Sequence, residues 1–222
     1  MAPPPGATVG ARYRSSRLRI EALLADVDEP GWTTPVAGCP GWRVRDVLAH
    51  LVGVIEDAVA GTIDGPPSEA QTAIEVERHR DDDPRELLGQ WSQSAPVFEE
   101  VVTELAIWPA FFDVLSHEHD IRGALGRPGD RDHADVQLAC DLLTEHLVVP
   151  AALEIDLGDR RIHPEGAVGE PLVLRTTAFE VLRLRLGRRS RRQVEHLDWS
   201  GDPGGVVDAL FVFGPASHDL VE

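Results

Sequence analysis

The segment RVRDVLAHLVGVIEDAVAG (43–61) sets Val44, Val47, Leu48, Leu51, Val54 and Ile55 three and four residues apart. That spacing lays the apolar side chains along one face of an α-helix, and the face must be buried against something. Residues 11–27, which end in RLRIEALLADV, repeat the pattern with Leu18, Ile20, Leu23, Leu24 and Val27, before the break at EPGW. Asp83 as cap and Pro84 as the first helical residue begin a further helix that runs to Leu105. Pro109 opens PAFFDVLSHEHDIRGAL, which Gly126 and Pro128 end by the usual glycine-then-proline stop. Four long amphipathic helices with one extended connection, residues 62–83, predict an antiparallel bundle. The connection holds a short helix in SEAQTAIEVER, and a fifth helix is expected over residues 134–148.

After Pro150 the texture changes. ALEIDL and PLVLRT read as strands, TAFEVLRLRL as a helix, and HLDWSGDPGGVVDALFVFG as an irregular segment leading into a last helix. The fold class is therefore α+β, with a helical bundle over residues 1–150 and a small α+β domain over 151–222. No internal repeat is present.

Composition narrows the setting. No apolar run approaches the roughly 20 residues that cross a bilayer, and the opening MAPPPGATVGARYR lacks the apolar core of a signal peptide. We read that opening as a frayed tail and expect a cytoplasmic protein, which the presence of only two cysteines also suits. A formal net charge of −17 repels polyanions, so neither nucleic acid nor an anionic membrane is an expected partner. The one dense basic cluster is GRRSRR (187–192). All 21 basic residues are arginine, and asparagine is absent too, a bias that suggests a GC-rich genome.

Of the nine histidines, His79, His133, His163, His196 and His218 stand in polar or turn-like surroundings and read as solvated. His146 reads as a surface or junction residue. His50 lies between Val47, Leu51 and Val54 on the core-facing side of its helix, where an imidazole needs a hydrogen-bond partner or a metal. Alone, it is better explained by a satisfied core histidine than by a ligand. Asp113 and His117 are four residues apart, one above the other on a single helix face; alone, they could be a surface pair. Together with His50 from a facing helix, they match the way bundles build metal sites in their cores. His119 points away from His117 on the helical wheel, and Asp120 is placed to accept a hydrogen bond from a liganding histidine.

CPGWRVRDVLAHL (39–51) and FDVLSHEHDIRGALGRP (112–128) together resemble the mycothiol-dependent maleylpyruvate isomerase family, whose metal domain is a DinB-like four-helix bundle. The tail, with AFEVLRLRLGRRSRRQVEHLDWSGDP (178–203) and VFGP (212–215), is similar to that family's C-terminal domain. The resemblance implies a divalent metal, zinc in the first instance, held by His50, Asp113 and His117. Asp113 departs from the family's glutamate and is shorter by about 1.5 Å. Either the helices approach more closely here, or the carboxylate binds through water.

Three nitrogen and oxygen ligands leave zinc a fourth position, as in catalytic sites. A thiol bound there loses its proton. The implied partners are mycothiol and an electrophilic small molecule, and the implied outcome is isomerisation or S-transfer. The alternative is a non-catalytic metal-binding or ligand-sensing module of the same fold. A metal-dependent hydrolase would need a general base, for which Asp120 and Glu118 are the candidates. Cys39 reads as part of the turn that Trp42 completes, and Cys140 as core. The basic cluster reads first as a solvated helix end; Arg188 and Arg189 are the candidates for holding a carboxylate of the thiol or substrate. Trp199 reads first as a packing residue. Oligomeric state is not legible.

Overall fold

The computed structural model describes residues 8–63, 65 and 68–222. The chain divides between Pro128 and Gly129 into two units.

The first unit holds α1 (Val9–Leu24), α2 (Glu29–Trp32), α3 (Val44–Ala60), α4 (Glu69–Arg78), α5 (Pro84–Glu104) and α6 (Trp108–Ala124). The four long helices close a ring: α1 packs on α5 and α6, and α3 packs on the same two. The ends are set as the sequence suggests. The Asp83 carboxylate accepts from the backbone N–H of Arg85 at 2.8 Å, and Gly61 and Gly126 stop α3 and α6 with φ of +67° and +61°.

The start of α1 differs from the sequence reading. Residues 1–7 of the expected tail lie outside the described residues; the helix expected from residue 11 begins at Val9, with Val9 and Tyr13 buried. Gly10 permits this, because a methyl group there would collide with the Glu99 carbonyl of α5. Leu18, expected in the buried stripe, is 51% exposed. The buried face instead runs through Tyr13, Ser16, Arg17, Ile20 and Leu24. Arg17 is tolerated there because its Nε donates to Glu99 Oε1 at 2.9 Å, an ion pair buried on both sides.

The second unit holds α7 (Ala134–Thr144), β1 (Leu153–Asp156), β2 (Arg161–Ile162), β3 (Leu172–Arg175), α8 (Ala178–Arg185), α9 (Arg191–Glu195) and β4 (Asp198–Trp199). The strand order is β2-β1-β3-β4. The central pair β1 and β3 is parallel, and each edge strand adds an antiparallel two-residue pairing. Helix α7, assigned from the sequence to the first domain, packs on α8 and groups with this unit, so the division falls one helix before the boundary expected near residue 151. The expected last helix is a single 3₁₀ turn, Val207–Leu210. The apolar run between Gly204-Gly205 and Gly214-Pro215 is too short to sustain more. Cys140 is core, as expected, and burial pushes its thiol up to about 12. Among the described residues, no helix is long and apolar enough to cross a membrane.

Candidate metal centre

Helix α3 is buried nearly all round, because α5 and α6 cover one side and α4 another. His50 sits in the middle of it, 2% exposed. Across from it, α6 carries Asp113 and His117 on one face, as the four-residue spacing requires. The carboxylate of Asp113 stands between the two imidazoles. Its Oδ2 is 3.5 Å from Nε2 of His50, and its Oδ1 is 3.4 Å from Nε2 of His117. Ligand atoms at about 2.0–2.1 Å from a tetrahedral zinc lie about 3.3–3.4 Å from one another, so the donor set has the spacing and chemistry that such an ion requires. One ligand atom from each of the three residues can be chosen so that all lie within 4.8 Å of one another. The shorter Asp113 side chain spans the gap directly. His50 and His117 are buried, whereas the Asp113 side chain is 37% exposed. One edge of the group therefore opens to solvent.

The outer nitrogens are equally engaged. Nδ1 of His50 lies 2.6 Å from Oε2 of Glu75, and Nδ1 of His117 lies 3.1 Å from Oδ2 of Asp120. Asp120 thus stands where the sequence suggested. Glu75 is a finding of the structure: it is 1% exposed although α4 is otherwise a polar helix. Trp42 forms a wall, its ring centroid 5.2 Å from that of His50 and 6.2 Å from that of His117.

Cys39, read first as part of a turn, stands closer to the histidines than that reading requires: its thiol donates to Asp120 Oδ2 at 3.4 Å and its sulfur lies 3.7 Å from His117 Nδ1. Cys39, His117 and Asp120 form a second group with spacing suited to a cation. It shares His117 with the first and is buried throughout. Hydrogen bonding accounts for this second group without an ion, since one carboxylate oxygen takes both the S–H and the Nδ1–H. The half-exposed edge favours the first group as the place where a small molecule could arrive.

Charge in the centre is strongly coupled. Burial opposes ionisation of Asp113, but the imidazoles of His117 and His50 outweigh it and hold the carboxyl far below its usual range. Burial likewise opposes the imidazolium of His117, yet Asp113, Cys39 and Asp120 raise its pKa well above the ordinary value. His50 is raised too, against its burial, by Asp113 and Glu75. A cation must displace these protons. We therefore expect zinc affinity to climb as pH rises above the ordinary histidine value of about 6.5, through the raised values of His117 and His50. Competition titration with a chromophoric chelator measures this, and a flat profile would contradict it.

The remaining sequence candidates fall elsewhere. Glu118 is fully buried against α1, where Arg19 Nε donates to both its oxygens at 2.9 Å and Arg122 adds a third bond at 3.1 Å. It is a structural anion, not a base beside the histidines. His79, read as solvated, is 6% exposed and lies 2.8 Å from Asp82 and 3.2 Å from Glu56. His119 is buried but outside the group. In the second unit, Arg189 is 7% exposed and grips both oxygens of Glu180 at 2.7 and 2.8 Å. Arg188 donates to the Leu186 carbonyl at 2.8 Å. Trp199 donates its indole N–H to the Val194 carbonyl at 2.8 Å, a packing role within its own unit.

Residues 13–114 match the family model of the mycothiol maleylpyruvate isomerase N-terminal domain. The matched residues all lie in the first unit. The match includes Cys39, Trp42, His50, Glu75 and Asp113, and it ends before His117, whose membership of the centre rests on geometry. Among solved structures, the chain is similar to a crystal structure of the mycothiol-dependent maleylpyruvate isomerase, with 14% identity and a TM-score of 0.55, covering 86% of this chain and 91% of that one. A mutant of that enzyme with one histidine replaced by alanine gives 13% identity and a TM-score of 0.54 over the same shares. The similarity of fold, expected from the sequence motifs, thus extends beyond the matched residues 13–114 into the second unit. Comparison with curated proteins yields no match.

Proposed function

We propose that this chain is a metal-dependent enzyme that uses a low-molecular-weight thiol, mycothiol, to isomerise a small electrophilic substrate of the maleylpyruvate kind. The observation that carries the reading is the Asp113 carboxylate set between two Nε2 atoms at 3.4 and 3.5 Å, with one edge open, in a domain of the isomerase family. A divalent ion held by His50, Asp113 and His117, zinc by the donor set, would favour the thiolate over the thiol.

The chain's own residues supply the rest. Glu75 and Asp120 take the Nδ1 hydrogens, which leaves both Nε2 lone pairs facing inward. Trp42 shields the histidines from water on one side. The open edge at Asp113 is the side from which a thiol would come. In the substrate, sulfur adds to one carbon of a double bond conjugated to a carbonyl, and the π electrons move to the carbonyl oxygen. The former double bond can then rotate. Expulsion of sulfur restores the double bond in the other geometry, with no oxidant or reductant consumed. If sulfur stays, the same first step is an S-transfer.

The test is an assay of the zinc-loaded protein with mycothiol and a cis-configured conjugated keto acid, following cis–trans conversion by absorbance and adduct formation by mass spectrometry. Isomerisation that needs both metal and thiol supports the reading, and a stable adduct moves it to S-transfer. Neither product, in protein that carries its metal, would favour the binding or sensing module.

A further inference from the structure

We propose that Glu75 is a positioning residue of the metal centre, and that Gly53 is the residue that lets it reach His50. The inference rests on the metal reading above. It starts from a carboxylate in an expensive place. Glu75 is 1% exposed, and an ionised carboxylate so buried is costly unless a partner compensates it. Its partner is not an arginine, as for Glu99 and Glu118, but Nδ1 of His50 at 2.6 Å. Such a pair does more than hold α4 to α3, because the imidazole it engages is the one whose Nε2 faces Asp113. It is a good way to fix a ligand: it places the proton on Nδ1, locks the ring, and raises the electron density at Nε2.

The backbone is arranged to permit it. Gly53 lies three residues after His50, on the same side of α3. A methyl group there would stand 2.6 Å from Cβ and 2.9 Å from Cγ of Glu75. Helix α4 therefore approaches α3 as closely as a glycine allows, and the Glu75 side chain crosses the gap that the missing methyl leaves. His117 has its own counterpart in Asp120, so each imidazole is held from outside by one carboxylate while Asp113 faces both from inside.

Three substitutions test this on the full chain: Glu75→Gln, Gly53→Ala and His50→Ala. Zinc affinity by chelator competition, the cobalt ligand-field spectrum and the thermal midpoint of the metal-free protein are measured for each. Glu75→Gln keeps the volume and removes the charge. It is expected to weaken zinc by about 10–100-fold, the usual cost of losing an outer partner, and to shift the cobalt spectrum. Gly53→Ala, which displaces Glu75 without touching it chemically, should weaken zinc in the same direction. A purely structural Glu75 would move the thermal midpoint alone, and parental zinc affinity and cobalt spectrum in both variants overturns the proposal. His50→Ala separates the two readings. If it loses zinc while Glu75→Gln does not, only the positioning role fails; if it retains zinc, the metal assignment itself fails.

Discussion

Metal should be lost from the His117→Ala protein, and equally from His50→Ala, while the parent holds about one divalent ion per chain, as a single three-ligand site implies. Each alanine removes one of two nitrogens that face the same carboxylate within 3.5 Å. Two ligands cannot hold a zinc ion against a competing chelator as three can. The loss should therefore exceed the roughly 10–100-fold expected for an outer partner such as Glu75. Asp113→Ala should fall between these limits, since it deletes a ligand but also relieves the two imidazoles of the carboxylate that raises their pKa values. Metal analysis after dialysis against a weak chelator reads all three. Full occupancy in both histidine variants would remove the site from these residues. The thermal midpoint of each variant, read alongside, separates loss of metal from loss of fold, since His50→Ala also takes the imidazole partner from the buried Glu75.

Glu118→Ala, one residue along α6 from His117, should do the opposite. Glu118 is fully buried, and Arg19 and Arg122 both close on it. Removing one partner of such a cluster leaves buried cations uncompensated and costs about 3–5 kcal/mol. In a unit of this size that lowers the thermal midpoint by on the order of 10 °C. The surviving folded protein should keep its metal. A Glu118→Ala protein of parental stability that lost activity would instead place Glu118 in the chemistry and revive the hydrolase reading.

The contrast between these neighbours shows what the sequence can and cannot convey. Helical periodicity and capping residues placed the long helices to within a few residues, because burial of an apolar stripe is written in the spacing itself. His50, Asp113 and His117 were legible for the same reason: an imidazole on an apolar face and two polar residues one turn apart are local patterns. Glu75 was not. It belongs to a polar helix, and its burial depends on the distance between α4 and α3, which only Gly53 hints at. Cys39 looked like a turn residue because the turn is local, while its contacts with His117 and Asp120 cross 78 and 81 residues of chain. His79 read as solvated because its partners Asp82 and Glu56 are themselves charged residues on exposed surface.

In the second unit the misses have another origin. Strands β2 and β4 are two residues long, too short for any alternation to register. The α7–α8 packing that draws α7 out of the bundle is a tertiary choice between two apolar faces. The basic cluster was read first as a solvated helix end, with Arg188 and Arg189 as candidates for holding a carboxylate. In the fold its members are largely spoken for, Arg189 by Glu180, Arg191 by Glu195 and Asp208, and Arg192 by Asp219. Charge density alone does not reveal which acidic partners the fold brings alongside.

The measurement closest to the central claim is a titration of mycothiol into the cobalt-substituted protein, followed in the near-ultraviolet where thiolate-to-cobalt charge transfer absorbs. A metal-bound thiolate gives a new band that saturates with added thiol, persists in Cys39→Ser and is missing from His117→Ala. A cobalt spectrum that mycothiol leaves unchanged, in protein shown to hold its metal, would contradict the claim.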